Sequence, residues 1–393
     1  MVLDSHQFDD NRISKHIRSI SGSCEVFRVN YNFYRDREHQ IGSPGKDVVI
    51  NITPTSGPYL NGLLFTLKVI FGRKGRELED VLLENSIDLA DDVIFHVHDP
   101  YLLGLAKKMG KRFPRSRIVY DRHEYYETWK NRLGISVPGL LERMYGKEVD
   151  EIVFVSRAVS TLPKVFAGKK VTVIPNYPES KRFDRDSALR KIEVSVSGDV
   201  VAVYFGVLNL GFDRDIDLMF KIMRYVMQAR QDVRFEVAGR VYDTGVKDII
   251  GSMTKEFGER MKYLGEIPFS DVVTRTTRAH LGFFLLRPES PMWSEERPTS
   301  PNKVYEFLLS GTVPVVRANL DDKETIEGCA LSFGKDAGSE EISGAILELI
   351  EDRQNLRTLM ERCLDVSTDF SWENVSGRYL ECYERLFYIT QGE

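Results

Sequence analysis

The sequence has few cysteines and no long apolar run. The four cysteines are widely scattered, and no pair has the spacing of a metal-ligand set or a redox motif: Cys24, Cys329, Cys363 and Cys382. This predicts reduced, buried thiols and excludes a small disulfide-stapled domain. No apolar stretch approaches the roughly 20 residues that span a bilayer, and the acidic residues soon after Met1 exclude a signal peptide. We therefore expect a cytoplasmic protein.

An excess of positive charge is absent as well. The 393 residues carry a net charge of −5, whereas a basic footprint is usual in proteins that bind nucleic acid, so nucleic acid is not the expected partner. The first 180 residues are slightly basic and the remainder is acidic, which makes the first half the better suited to an anionic surface. The composition is that of an ordinary globular protein, and the length suggests two or three domains of about 150 residues each.

Short β-branched runs alternate with helical patterns in two series, which predicts buried parallel strands separated by helices. The first series begins with a very short strand at Val2 and Leu3. Its other strands are expected at 25–29, 47–52, 92–97, 117–120, 151–155 and 170–174, and its helices at 13–20, 60–71 and 102–111. The second series has expected strands at 200–205, 234–237, 261–264, 281–286 and 313–316, and helices at 215–227, 247–257, 302–309, 340–350 and 356–365.

A cluster of turn-forming residues separates the two series. Pro175, Asn176 and Pro178 are followed by a polar stretch at 179–191, which we interpret as an interdomain linker. Repeated βα units imply parallel sheets covered on both faces. The predicted fold is therefore α/β, with two doubly wound, Rossmann-like domains facing a cleft. Their expected limits are 1–180 and 181–370, and a C-terminal helix within 371–393 is expected to pack back on the first domain.

Glycine follows three successive strands of the second series. Gly206, Gly239 and Gly265 each stand directly after or one residue beyond a predicted strand, and Arg240 follows the second of them. Ligands of open parallel sheets bind beyond the carboxyl ends of the strands, and glycine allows the backbone to approach a ligand closely. Each glycine alone is explained by a tight turn, but three on one rim favour a nucleotide site.

The segment 300–316 carries the densest signal. Ser300 and Pro301 begin a predicted helix whose first turn contains Asn302 and Lys303. The amides of a helix N-terminus attract phosphate, and a lysine there adds a full positive charge. Glu306 lies three residues after Lys303 on the same helical face, where its carboxylate would accept hydrogen bonds from ribose hydroxyls. The plain alternative is a salt bridge between these two side chains on a solvated helix.

Taken together, these motifs resemble the retaining glycosyltransferases of family four. The segment Ser-Pro-Asn-Lys-Val-Tyr-Glu-Phe-Leu-Leu-Ser-Gly-Thr-Val-Pro-Val-Val at 300–316 is similar to their donor-site signature, in the subgroup with a Pro-Asn-Lys helix. The Tyr-Asp-Arg-His-Glu loop at 120–124 is similarly specific. Weaker matches lie at Asp9-Asp10-Asn11-Arg12-Ile13 with Lys15, at 92–99 and at Val173-Ile174-Pro175-Asn176. The resemblance covers nearly the whole chain.

The resemblance implies a GT-B fold and transfer of a sugar from a nucleoside diphosphate sugar with retention of configuration. Glu306 would bind the donor ribose, while Lys303, Asn302 and the backbone around Gly206 would hold the diphosphate. Gly239 and Gly265 would border the base. His98, His123 and Glu124 would serve the reaction from the first domain, near the transferred sugar. The plain alternative for each histidine is a structural hydrogen-bonding residue at a strand end.

Two departures from the family pattern bear on the leaving group. Val207 stands where the family commonly has an arginine, so we expect Lys303, Arg214 and Arg240 to supply the positive charge. Pro298 stands where a first glutamate is common, although the Pro-Asn-Lys subgroup often lacks it. Asp213 and Asp215 match the Asp-x-Asp pattern of a metal-binding motif. We interpret them instead as acidic residues at the start of a helix. We expect no essential metal and no cofactor beyond the nucleotide-sugar substrate.

The sequence identifies the acceptor substrate less clearly than the donor. A glycan, a lipid-linked sugar, as in cell-envelope polysaccharide synthesis, or a small molecule all stay open. The predicted apolar helix at 60–71 has a basic tail, and a basic run follows later: Lys107, Lys108, Lys111, Arg112, Arg115 and Arg117. These would suit peripheral contact with the inner face of an anionic membrane; the plain alternative is a core helix and a solvated basic face.

Two other functions remain open. A nucleotide-sugar epimerase of the same architecture would need acid and base carboxylates, for which Glu124 and Asp99 are the candidates. A binding protein that has lost turnover would be consistent with Val207 in place of the arginine. The residues leave the base, the sugar and the acceptor open.

Overall fold

The computed structural model describes residues 1–5, 10–32, 47–51, 78, 92–130, 133–290 and 292–388. The chain divides into two compact units. The first consists of Met1–Pro175 together with Val375–Glu393, and the second of Asn176–Asn374. The expected helix at 60–71 and Asp9 of the first-loop motif lie outside the described residues.

Among the described residues of the first unit, seven strands form a parallel sheet in the order β3-β2-β1-β4-β5-β6-β7. The strands are β1 Val2–Asp4, β2 Arg28–Asn32, β3 Asp47–Asn51, β4 Ile94–Val97, β5 Arg117–Arg122, β6 Glu151–Phe154 and β7 Lys170–Val173. The helices of this part of the chain are α1 Asn11–Ile20, α2 Leu103–Arg112 and α3 Val137–Tyr145. The apolar side chains of β1, β2, β4 and β5 form a buried core with α2.

In the second unit, six described strands form a parallel sheet in the order β10-β9-β8-β11-β12-β13. They are β8 Val200–Phe205, β9 Val233–Ala238, β10 Met261–Tyr263, β11 Leu281–Leu285, β12 Val313–Arg317 and β13 Leu331–Ser332. The helices are α4 Arg185–Val194, α5 Ile216–Ala229, α6 Thr244–Phe257, α7 Phe269–Arg278, α8 Asn302–Leu309, α9 Lys323–Ile326, α10 Ser339–Glu351, α11 Arg353–Val366 and α12 Trp372–Val375.

The last helix, α13 Arg378–Tyr388, returns to the first unit and packs against α1. Tyr379 and Tyr383 stand four residues apart, so both fall on one face of α13, and both are buried. The single C-terminal helix expected within 371–393 is divided in two: α12 and α13 are separate, and Ser376 and Gly377 stand between them. None of the described helices is long and apolar enough to cross a membrane.

The predicted α/β fold with two parallel sheets is confirmed, and differences are local. The first-series strand expected at 25–29 instead begins at Arg28. The side chains of Arg28 and Asn30 donate to the buried carboxylate of Asp4, Arg28 Nε at 2.8 Å. Because these buried residues are polar, the strand lacks the apolar pattern by which strands are predicted. The polar stretch 179–191 was expected as a linker, but it is largely helical. Helix α4 covers its second half and buries Lys191 within the second unit. Strand β13 was not predicted.

Candidate functional site

Three glycines form a bare backbone rim at the carboxyl ends of β8, β9 and β10. Gly239 adopts a φ of 137°, and a β-carbon there would lie 1.8 Å from the carbonyl oxygen of Gly206. The Gly239 amide donates to the carbonyl of Gly265 at 2.8 Å, and Gly265 has a φ of 69°. Because these conformations and contacts exclude a side chain at Gly239, the rim presents backbone to whatever lies beyond it.

Lys303 extends from the first turn of α8 onto this rim. A β-carbon on Gly206 would lie 2.1 Å from Lys303 Nζ, so the ammonium group occupies the space that Gly206 leaves empty. The Nζ atom also lies 5.0 Å from the centre of the Tyr204 ring. Pro301 precedes α8, and no side chain caps the helix. The side chain of Lys303 therefore reaches the rim from a helix N-terminus that has no side-chain cap among the described residues.

Arg214 supplies a second cation beside Lys303. Burial and the positive charge of Arg214 lower the pKa of Lys303 to about 8, against the attraction of Glu306 and Asp213. The guanidinium of Arg214 lies 4.3 Å from the centre of the Phe284 ring and forms an ion pair with Asp213. The pKa shift of Lys303 thus reflects both a neighbouring cation and two neighbouring carboxylates, Glu306 and Asp213, which offset part of the positive charge.

The other predicted residues of this unit have different surroundings. Glu306 stands one turn after Lys303 on α8 and is half-buried. Arg240 is exposed and forms a two-pronged ion pair with Glu266, at 3.0 and 2.9 Å, so its guanidinium is engaged at the surface. Asp215 caps α5 by accepting from the Leu218 amide at 3.2 Å, which confirms its interpretation as a helix-start acid.

Both ends of α8 are held by buried polar side chains that the sequence analysis did not single out. Near its start, the Tyr305 hydroxyl contacts Ser300 Oγ and donates to Asp322, both at 2.9 Å. At its end, Lys191 Nζ donates to the carbonyls of Ser310 at 2.8 Å and Gly311 at 2.9 Å. A cation at a helix C-terminus is favoured by the helix dipole. In the sequence, Lys191 could have been recognised as a buried residue because it falls on the apolar face of α4, beside Ala188 and Ile192.

In the first unit, the predicted residues His98 and His123 belong to a buried polar cluster. His98 follows β4 and is fully buried, and its Nδ1 lies 2.9 Å from Nε2 of His123. His123 follows β5, and 11% of its side chain is exposed. Glu124, the next residue, is exposed. The structure therefore brings His98 and His123 together, with His98 behind His123 and without an exposed surface of its own.

Asp121 carries the negative charge of this cluster. Its carboxylate accepts from Arg12 Nη2 at 2.8 Å and from the hydroxyl of Tyr379 at 2.8 Å. Although burial opposes it, Arg12 holds the pKa of Asp121 well below its usual range. The ion pair between Arg12 and Asp121 is buried, so the charge of the aspartate is compensated within the unit.

Two further histidines, His16 and His96, complete the cluster and were not predicted as site residues. His16 comes from the buried face of α1, and its ring stacks on Tyr379 with centroids 4.1 Å apart. His96 lies on β4, two residues before His98, so both point to the same face of the sheet. Burial lowers the pKa of His96 and lowers those of His16 and His98 well below the ordinary value. These three rings are therefore neutral at physiological pH.

Two subsets of the cluster consist of residue types that bind metals. They are His16 with His96 and His98, and His98 with Asp121 and His123, and the ligand atoms of each subset lie within 4.8 Å of one another. Ring nitrogens in the cluster approach to 2.9 Å. Two nitrogens bound tetrahedrally to zinc at about 2.1 Å would be roughly 3.4 Å apart. The observed spacing fits direct hydrogen bonds better than shared metal coordination.

Comparison with known proteins agrees with this architecture. No family model matches the chain. Among curated proteins, a glycogen synthase from Desulfitobacterium hafniense is 23% identical over 203 residues, which cover 47% of this chain and 42% of that protein. The chain thus spans less than half of the curated relative that it matches.

Solved structures match over nearly the full length. Sucrose-phosphate synthase from Thermosynechococcus elongatus has a TM-score of 0.70 at 11% identity, covering 99% of both chains. The fold is GT-B. An E. coli structure of the trehalose-6-phosphate system bound with UDP-2-fluoro glucose has a TM-score of 0.65 at 13% identity, covering 97% of this chain and 98% of that one. A UDP-forming α,α-trehalose-phosphate synthase from Burkholderia xenovorans, in complex with glucose-6-phosphate, has a TM-score of 0.67 at 9% identity, covering 98% and 99%.

Proposed function

We propose that this protein is a retaining glycosyltransferase of the family-four type that uses a nucleoside diphosphate sugar as donor. The observation that carries the proposal is the position of Lys303 at the glycine rim, with Arg214 near enough to lower its pKa. Lys303 Nζ lies against Gly206, and the presence of Arg214 lowers the pKa of Lys303. The charged form of a lysine whose pKa is lowered in this way is stabilised by an added anion, and a diphosphate would supply that charge.

The remaining donor contacts follow from the placement of α8. The first-turn amides, at Asn302 and Lys303, would bind the phosphate oxygens. Glu306, one turn along the same face, would accept hydrogen bonds from the ribose hydroxyls. The rim at Gly239 and Gly265 would border the base, while Arg240, engaged by Glu266, would contribute less charge than Lys303 and Arg214.

Stabilisation of the leaving diphosphate is the chemical step that these residues would serve. Negative charge builds on the diphosphate as the bond to the sugar breaks, and positioned cations and amides stabilise it best where water is excluded. In a retaining mechanism of this type, the departing phosphate takes the acceptor proton, so no separate base is required. In the first unit, we assign His123 and Glu124 to the sugar-binding surface after β5, with His98 supporting His123.

The acceptor is proposed as a sugar or sugar derivative. The matched structures include a complex with glucose-6-phosphate, which makes a sugar phosphate the first acceptor to try. Contact with an anionic membrane is less favoured, since Lys107 pairs with Glu148 and Arg115 with Asp92, each at 2.7 Å. Flotation with anionic liposomes tests this point: binding that disappears with neutral lipid would restore the membrane proposal.

Substitution of Lys303 and Glu306 tests the donor site. We expect Lys303→Ala to lower kcat/KM by about 10²–10³-fold, the loss typical when one stabilising group is removed, and Glu306→Ala to raise the donor KM. Thermal stabilisation by UDP, GDP, ADP and their sugar conjugates identifies the matched donor first, since saturation at 100 times Kd adds roughly 2.7 kcal/mol.

Lys255→Ala, at an exposed position on α6, is the matched control and should retain full activity. Full activity of both site variants with the matched donor would contradict the proposal. Interconversion of the donor sugar would instead indicate an epimerase, and tight donor binding without transfer or slow hydrolysis would indicate a binding protein.

A further inference from the structure

The last residue of β12, Arg317, is a buried arginine at the carboxyl edge of the second sheet. Only 4% of the residue is exposed. Its Nε and Nη2 atoms donate to the carbonyl oxygen of Leu286 at 3.1 and 2.8 Å, and its Nη1 atom donates to the carbonyl oxygen of Ala337 at 2.9 Å. Arg317 Nη2 also donates to the carboxylate of Asp215. The guanidinium thus joins three separate segments of the second unit.

Two of these three segments hold the backbone of Arg214. Leu286 pairs with Arg214 in an isolated antiparallel bridge, and Asp215 follows Arg214 in the chain. The Asp215 amide donates to the carbonyl of Leu285 at 2.9 Å. The loop that carries Arg214 is therefore tied to the end of β11, and Arg317 binds both the strand end and the loop.

The side chain of Arg214 takes its contacts from the same strand and loop. Its guanidinium lies 4.3 Å from the centre of the Phe284 ring, on β11, and forms an ion pair with Asp213. A functional side chain keeps its geometry only when hydrogen bonds around it lock the elements that carry it. The position of the Arg214 guanidinium therefore depends on the bonds that join its loop to β11.

The planar fork of an arginine is necessary for this arrangement. The three acceptors of Arg317 are reached from Nε, Nη1 and Nη2 separately. An arginine presents five N–H donors in one plane, whereas a lysine has three donors on a single nitrogen at the end of a flexible stem. A lysine at this position would leave at least one of the buried acceptors without its donor, which is unfavourable.

We propose that Arg317 is a positioning residue, which holds Arg214 beside Lys303 at the donor rim. It acts through Leu286 and Asp215 and touches no part of the donor itself. The binding of a diphosphate by Lys303 and Arg214 rests on the proposed function, whereas the placement of Arg214 by Arg317 does not. A residue of β12 thus determines where a cation from the loop after β8 stands.

The pH at which Lys303 loses its proton reports the position of Arg214. Burial and the positive charge of Arg214 lower the pKa of Lys303 to about 8, and the carboxylates of Glu306 and Asp213 oppose this effect. The Tyr204 ring, 5.0 Å from Nζ, is uncharged. The effect of Arg214 exceeds that of Asp213, which belongs to the same loop. Displacement of the loop should therefore raise the pKa of Lys303.

Carbon NMR of the full chain with ¹³C-labelled lysine measures this pKa without a ligand, and Lys303→Arg identifies the Cε signal of Lys303. We expect a midpoint of about 8 in the unmodified protein. Arg317→Lys retains the positive charge but loses the fork, so the midpoint should rise by about one pH unit, the usual effect of one neighbouring charge. Arg214→Met, which removes the cation itself, should produce a rise of the same size.

Arg260→Lys is the matched control, because it removes the same kind of contact at the opposite edge of the sheet. Arg260 stands before β10, and its Nη1 atom donates to the carbonyls of Met227 and Arg230 at 3.0 and 2.9 Å. The midpoint of Lys303 should not change in this variant. An unchanged midpoint in Arg317→Lys, or an equal rise in Arg260→Lys, would overturn the proposal.

Asp215→Asn provides a second test that does not depend on the folding of Arg317→Lys. An asparagine still caps α5, but its bond to Arg317 loses the assistance of the negative charge. Removal of a nearby carboxylate would by itself lower the pKa of Lys303, so a rise in this variant reports displacement of Arg214. An unchanged or lowered midpoint would contradict the role of Arg317.

Binding of the matched nucleoside diphosphate provides the functional measurement. Arg317→Lys should weaken binding at pH 7 about tenfold, the effect of one hydrogen bond to a charged group, and Arg260→Lys should leave it unchanged. Unchanged binding in Arg317→Lys, in spite of a raised midpoint, would contradict the positioning of Arg214 for the donor. Absence of nucleotide binding in the unmodified protein would contradict the proposed function and leave the NMR result standing.

Discussion

The polar clusters of the two units differ in how their charge is compensated. In the first unit, Asp121 is neutralised by Arg12, and burial lowers the pKa values of His16, His96 and His98 so that these three rings are neutral. In the second unit, Lys303 and Arg214 lie close together, and only Arg214 has an ion-pair partner among the described residues. A lysine that has no ion pair of its own among the described residues is available to an anionic ligand. We therefore propose hydrogen-bond orientation for the first cluster and anion binding for the second.

Replacing Asp121 should have the largest effect, because it breaks the internal compensation of the first cluster. Asp121→Asn would leave the guanidinium of Arg12 buried without its counter-charge. We expect the free energy of unfolding to fall by about 3–5 kcal/mol, measured by denaturant unfolding. Glu148→Gln, which breaks an exposed ion pair with Lys107, should change it by less than about 1 kcal/mol. Equal effects of the two variants would mean that the first cluster does not depend on its buried charge pair.

Replacing Lys191 should have a smaller effect and act through α8. Lys191→Met leaves the buried carbonyls of Ser310 and Gly311 without their donor, so we expect a loss of about 2 kcal/mol in unfolding free energy. Lys255→Met, at an exposed position, should be neutral. A parallel loss of donor affinity would show that the orientation of α8 matters to the site.

The pH dependence of the same variant has a defined sign. Burial lowers the pKa of Lys191 from 10.5 to about 7 in the folded protein. Between these values the unfolded chain holds a proton that the folded protein has released, so stability rises with pH across this window. The Met variant should lack this rise; a difference between the two proteins that stays constant from about pH 7 to 10 would contradict the lowered pKa.

The smallest expected effect is the pH dependence of donor binding. With a pKa of about 8, Lys303 is charged below that pH and neutral above it. The Kd of the matched nucleoside diphosphate should therefore rise about tenfold per pH unit above 8, up to the affinity that remains without the charge. Calorimetry at several pH values measures this change. Lys303→Arg, which stays protonated, should show a flat profile, and the same slope in both proteins would assign the titration to another group.

Local sequence signals were strongest in the second unit, although strand β13 and helix α4 were not predicted. Strand β8 and helix α8 have the predicted limits, because β-branched residues run unbroken in one and Pro301 and Gly311 flank the other. The rule that ligands bind at the carboxyl ends of parallel strands selected Gly206, whereas its association with Lys303 was implied by the family resemblance. The first unit was harder, since the polar residues of β2 and the histidines of α1 and β4 have no local pattern that separates them from surface residues.

By itself, the sequence determined the α/β class, the two series of strands and the rim formed by Gly206, Gly239 and Gly265. These features depend on the periodicity of apolar side chains and on the conformational freedom of glycine. Both can be read from residues that are close together in the sequence. Only the tertiary structure decided that Arg240 is engaged by Glu266, that Lys191 supports the end of α8, and that Tyr383 connects His16 to His96. Hydrogen bonds and desolvation depend on distances between residues far apart in the chain, and those distances exist only after folding.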